Sequence, residues 1–331
     1  VKGAWDIISS FKGSDLKAKT EDFLMEFLSN FFKFSERDTN FSREIIAGIT
    51  TFLAMAYILP VNVQMLTTEI PGVGAVGLPA GGVFFATAVA AAIASIVMGL
   101  LANLPVALAP GMGLNAFFTF NLVLFGPLEW QGALAAVLVS GILFFIVSVT
   151  GLRKAVINAI PIGLKLAVGA GIGFFITFIG LKNAGIVVSN SATLVGLGDF
   201  TSPVVLLGVF GIVLVVVLYS LGNKFSLIIS IVATAVVGLI LGALGVDLMP
   251  AFDSTAATGD LWSGAKITVF GLFDGGFAQL FSSPEAFTII FTLLFVDFFD
   301  TAGTLMAVGN QAGLINEAGE IEGSDKALLA D

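Results

Sequence analysis

The sequence predicts an all-α polytopic membrane protein, on three observations. Of 331 residues, 57% are hydrophobic and 11% charged, with a mean hydropathy of +1.04. Apolar runs of about 20 residues, the length of a helix that crosses a bilayer, recur along the chain. The connections between them are short, apart from one at 247–285. With most of the surface facing lipid, a net charge of −9 says little about partners, and nucleic acid is not expected to be one. The chain has no Cys and no His, which removes disulfides, thiolate nucleophiles and Cys-based metal sites, so no cofactor is expected. A proton relay, if present, must run through carboxylates.

Residues 1–42 read as a cytoplasmic segment, because Lys2, Lys12, Lys17, Lys19, Lys33, Arg37 and Arg43 precede or open the first span, and basic residues stay inside. This start is too long and too basic for a signal peptide; the chain opens at Val1, and Met25 is an equally good start codon. Spans follow at about 44–66, 81–101, 106–126, 132–150, 161–180, 203–221, 226–246 and 286–308. Threading them from a cytoplasmic start puts Arg153, Lys154 and Lys224 inside and leaves Lys182 and Lys266 outside, with Lys165 in a span. The 247–285 segment, with Asp247, Asp253, Asp260 and several glycines, reads as an extracellular loop, and Trp130 and Trp262 fall near span ends. Asn103, Leu104 and Pro105 read as a tight turn.

The third span is irregular: Pro110, Gly111 and Gly113 occupy its first half. Pro lacks the N–H that closes a helical bond and Gly weakens a helix, so backbone groups are freed at membrane depth. Such groups persist only where protein or a wet cavity satisfies them. A helix starting near Asn115 would aim its N–H groups at the midplane, as discontinuous transporter helices do toward a substrate.

The eighth span carries Asp297 and Asp300 near its middle. A carboxylate there costs at least roughly 2.5 kcal/mol on insertion scales and marks a substrate or proton pathway more often than a structural pair. Spaced i, i+3, the two share a helix face that Thr301 and Thr304 extend. Phe117, Phe118, Phe295, Phe298 and Phe299 read as core or lipid-facing, with one of them, Phe117 foremost, able to stack on a planar substrate.

Three stretches carry a specific resemblance: REIIAGITTFLAMAYIL at 43–59, ALAPGMGLNAFF at 107–118 and LFVDFFDTAGTL at 294–305. Together they resemble the AzgA-like purine permeases of the nucleobase–ascorbate transporter group, over a region from about Phe31 to the last residue. The resemblance implies fourteen helices in two inverted repeats of seven, with substrate held between the third, eighth and tenth. On that basis 43–246 is the first repeat, 286–308 opens the second, 309–331 is cytoplasmic, and the chain is a fragment with about 8 of the 14 helices, its third broken by a short extended segment. It further implies purine nucleobases (adenine, guanine, hypoxanthine) as substrates, Asn115 and Asp297 as ligands of the ring, Gly113 as the point where backbone nears the base, and Asp300 as the proton-coupling carboxylate. A neutral purine offers ring N–H donors and lone-pair acceptors that a carboxylate and a carboxamide meet with directional bonds. Desolvation favours the protonated form of a carboxylate, and proton and substrate then favour the same occluded state. Sodium is the other ion that carboxylates suit. The implied setting is a prokaryotic cell membrane, with lipid and a homodimer among the expected partners. The family's Asn directly followed by Pro is absent from YILPVNVQML at 57–66, a departure expected to alter packing but to touch no ligand.

Other readings fit less well. An anion exchanger of the same architecture would want a positive or uncharged site. A sister uracil or xanthine permease differs only in motif wording. An intramembrane aspartyl protease would place its two aspartates on different helices.

Overall fold

The computed structural model describes residues 26–35, 39–70, 72–150, 161–223, 225–246, 248, 261–312, 326 and 329, with the side chains of 302–312 outside the description. Most of segment 1–42, Arg153, Lys154, Lys224, the side chain of Lys165, Asp247, Asp253, Asp260 and nearly all of 313–331 lie outside the described residues.

The first span is a pair of helices, α1 (Phe41–Met55) and α2 (Ile58–Leu66). It starts where Asn40 Oδ1 accepts the Arg43 N–H at 2.9 Å, with Glu44 favourably placed in the first turn. It breaks at Ala56 because Pro60, four residues on, has no N–H to give that carbonyl. A two-residue hairpin, β1 (Glu69–Ile70) with β2 (Gly74–Ala75), leads into α3 (Ala80–Val97). A π-helical turn, Met98–Ala102, extends α3 until Asn103 stops it in the left-handed region at φ 55°.

The third span is interrupted as expected. Residues 103–111 are non-helical and are followed by α4 (Met112–Ala116), which continues as a π-helical stretch, Phe117–Leu124. The helix begins at Met112, three residues before the expected start near Asn115, because Gly111 is the last extended residue. Hydroxyls of flanking helices satisfy the freed backbone. Thr51 Oγ1 accepts from Ala107 N–H at 3.1 Å, and Ser95 Oγ accepts from Leu108 N–H at 2.9 Å. Ser95→Ala is expected to strand the Leu108 N–H at a cost of about 1–3 kcal/mol, read as a lower melting temperature of the protein in detergent.

Next come α5 (Trp130–Val149), α6 (Ile162–Asn183), a hairpin of β3 (Val187–Asn190) and β4 (Leu194–Leu197), then α7 (Pro203–Ser220) and α8 (Ser226–Ala243). The two last helices pack directly, with Gly211 set against Thr234 and Gly238 against Leu207. In the connection after β4, Thr201 donates to Asp199 through its hydroxyl and its N–H and holds that carboxyl below the usual range.

The 247–285 segment is not a loop throughout. It contains α9 (Leu261–Phe270), a single 3₁₀ turn at Gly271–Phe273, and α10 (Gly276–Ser282). These helices of 10 and 7 residues are too short for a 19-residue window to register. They pack inward, α9 on α3 and α10 on α5, where Leu280 is wholly buried. The next helix, α11 (Ala286–Ala312), departs at 110° from the α9–α10 unit and lies against α5, α6 and α4. Among the described residues, five helical segments are long and apolar enough to cross a membrane, and the bent pair makes up to six.

Candidate functional site

The interruption in the third span and the carboxylates of the eighth meet at one cavity. At 13 residues, Met112–Leu124 rises only about 20 Å as a helix, less than the hydrocarbon core, so the extended segment must supply the remaining depth. The amino end of α4 therefore lies within the protein, facing α11. There Gly111 is so close to Asp300 that a Cβ on it would fall 2.5 Å from the carboxylate Oδ2. No larger residue fits at 111 without displacing that carboxylate.

The cavity measures about 1290 Å³ and is lined by Asn115 and Gly113 from α4, by Phe117 from its π-helical continuation and by Asp297, Asp300 and Thr301 from α11. Six of the seven residues expected at the site thus line one chamber, while the side chain of the seventh, Thr304, lies outside the described residues. A Cβ at Gly113 would meet no described atom within 4 Å, so the wall is open there. Thr301 is buried, and both aspartates are partly exposed to the chamber and engaged in interactions. Helical rotation sorts this face from its neighbour. Phe298, one residue after Asp297, points instead into α5 and packs on Phe144 with ring centroids 5.0 Å apart. Phe295 packs along its own helix against Phe291, with ring centroids 5.6 Å apart and the planes tilted, in keeping with the core-or-lipid reading of these rings.

Two polar residues that sequence reasoning passed over belong to the site. Asn115 Nδ2 donates to Asn62 Oδ1 at 2.6 Å, and Asn62 Nδ2 donates to Thr87 Oγ1 at 2.7 Å. Asn62 sits in α2 within the YILPVNVQML stretch, so that stretch reaches an expected ligand through Asn62. Its only signal was a carboxamide in an apolar span, which it shares with Gln64 two residues on. Nearby, Tyr57 Oη approaches Met112 Sδ at 3.5 Å and ties the α1–α2 break to the start of α4. Thr119, fully buried, donates to Met65 O at 3.2 Å and fastens the π-helical continuation of α4 to α2.

A discontinuous helix facing an acidic helix across an internal chamber is a carrier's architecture, and residues 42–331 match the model of the xanthine/uracil permeases. The chain belongs to that permease family. Members of the family are transporters and not enzymes, which removes the protease reading, and the permease is a multi-pass membrane protein. It is similar to a guanine/hypoxanthine permease of Bacillus subtilis, 46% identical over 92% of this chain and 67% of the relative. A putative permease of Methanocaldococcus jannaschii is 42% identical over 93% of this chain and 66% of its own length. An adenine permease of Escherichia coli is 38% identical over 92% and 64% respectively. The permease chain thus spans about two thirds of the length of the curated relatives it matches.

Proposed function

We propose that this permease carries purine nucleobases (adenine, guanine and hypoxanthine) into the cell by proton symport. The observation that carries the proposal is the convergence of Asn115, Asp297 and Asp300 on one chamber at a helix interruption. Relatives named as guanine/hypoxanthine and adenine permeases support the substrate class. In this reading Asp297 accepts ring N–H groups, Asn115 bonds an edge of the ring, Gly113 leaves room for the base beside the backbone, and Phe117 and Thr301 wall the chamber. Asp300, against Gly111, takes up and releases the coupling proton. In this reading the N-terminus is cytoplasmic, which the basic residues before α1 support.

The test is uptake of radiolabelled hypoxanthine by cells expressing the full-length gene, with unlabelled adenine, guanine, xanthine and uracil as competitors. The expected result is uptake that purines block, that uracil leaves alone, and that a protonophore abolishes whether or not sodium is present. Uptake that follows sodium and ignores the protonophore would transfer the coupling role to that ion. If no nucleobase is taken up or competes, the purine reading fails.

A further inference from the structure

Thr87 does not belong to α4 or α11, yet it stands at the end of a hydrogen-bond chain that begins in the chamber. Thr87 and Asn62 also line the chamber wall, but each is only 4% exposed, so their polar atoms depend chiefly on protein partners. Thr87 Oγ1 lies 2.7 Å from the carbonyl oxygen of Val83, one helical turn back in α3. Two oxygens at that separation require a proton between them, and a carbonyl has none to give. The single hydroxyl proton of Thr87 is therefore committed to Val83, and toward Asn62 the hydroxyl can only accept. Asn62 must then turn its NH2 to Thr87 and its carbonyl toward Asn115. That carbonyl in turn accepts from the Asn115 NH2, which leaves the Asn115 carbonyl as the atom not engaged in the chain. Each amide orientation is dictated by the one before it, and the first is dictated by main chain.

We propose that Thr87, acting through Asn62, is a specificity-determining positioning residue that locks the polarity of the Asn115 carboxamide, with its carbonyl oxygen offered to the ligand as an acceptor. The proposal rests on the purine reading for the identity of that ligand. Six-oxopurines and six-aminopurines exchange donor and acceptor along the N1–C6 edge: hypoxanthine presents N1–H beside O6, adenine a bare N1 beside an amino group. A carboxamide free to flip serves both. A locked one serves them unequally, since a site with a fixed pattern leaves a polar group unpaired with one of the two. The lock thus sets the ratio of affinities for the two purine classes.

Two measurements on the full-length protein test this. First, Kd values for hypoxanthine and adenine are compared in wild type, Thr87→Val and Thr87→Ser. Valine keeps the shape and removes the hydroxyl, so Asn62 and Asn115 are released and the ratio of the two Kd values is expected to move by about tenfold. Serine restores the hydroxyl and is expected to restore the wild-type ratio. A general packing defect would instead weaken both ligands by one factor, and that result overturns the proposal. The second measurement needs no ligand. Asn115→Asp puts an oxygen against the Asn62 carbonyl, and in alkaline buffer, where the new acid is ionised, it is expected to lower the melting temperature by about 3 °C or more. In a Thr87→Val background Asn62 can turn its NH2 to Asp, so most of that loss is expected to disappear. Strictly additive losses overturn the lock, whether or not any purine binds; absence of purine binding with a non-additive cycle overturns only the substrate reading.

Discussion

Asp300→Asn is expected to abolish concentrative uptake while leaving substrate binding and passive exchange. The replacement is close to isosteric and retains hydrogen-bonding capacity, but it cannot cycle a proton. A membrane potential of about 100 mV is worth about 2.3 kcal/mol per translocated charge, roughly fiftyfold in concentration. The mutant's accumulation ratio should fall from that order to near unity. External acidity should raise accumulation by the wild type and leave the mutant unmoved, because only a group that binds a proton on one side and loses it on the other links the two gradients. Side-by-side measurement of accumulation against external pH, with hypoxanthine binding to purified protein as the control, separates loss of coupling from loss of the site. A mutant that still accumulates substrate with wild-type pH dependence would falsify the role of Asp300.

The geometry explains why position 300 carries the strongest functional expectation and Asp297 a different one. Asp300 is pressed against the last extended residue before α4, so any change in its charge acts on the junction between the broken span and α11. Asp297, one turn earlier, lines the same chamber, where the proposed function has it meet the ligand. Gly111 is the complementary requirement: its missing side chain is what allows the carboxylate to reach the helix interruption.

Much of this arrangement was legible in the sequence, and for definite reasons. Apolar length reported the helices in order because lipid demands that backbone bonds close within each span. Pro110 and Gly111 reported the break because proline has no N–H to close a helical bond and glycine weakens a helix. Asp297 and Asp300 reported the chamber because charge at that depth needs one. Illegible from the chain were features that depend on partners distant in sequence. Asn62 and Thr87 are ordinary isolated polar residues until α2 and α3 bring them within 2.7 Å of each other. The α9–α10 unit was hidden by its brevity, since neither helix crosses a membrane by itself and only packing on α3 and α5 gives it a place. The two hairpins carry too few residues to show an alternating pattern.

That packing yields the second large effect: Gly82→Val is expected to prevent accumulation of folded protein. Helices α3 and α9 cross with Gly82 facing Gly264, and a Cβ on Gly82 would run into the Gly264 carbonyl and the Thr268 hydroxyl. Small residues at such crossings let backbones approach closely in membranes, where dispersion contacts and not water exclusion hold helices together. A flexible neighbour can turn aside from an added methyl; a main-chain carbonyl in a helix cannot. Relief must come from separating the helices, which forfeits contacts along the whole interface, and overpacking of this kind costs about 1–3 kcal/mol or more. The consequence reaches the site, because α9 and α10 lead directly into α11 and set the position from which Asp297 and Asp300 project. Gly264→Ala, whose Cβ would stand 2.8 Å from Gly82 N, should show a milder form of the same defect. Gly48→Ala in α1, where a Cβ meets no described atom within 4 Å, should be neutral or slightly stabilising, since alanine is the better helix former. Size-exclusion profiles and melting temperatures of the three variants in detergent would rank the positions. Wild-type stability in Gly82→Val would mean that α9 does not pack on α3 in the membrane, and the approach of α11 to the broken span would need another support.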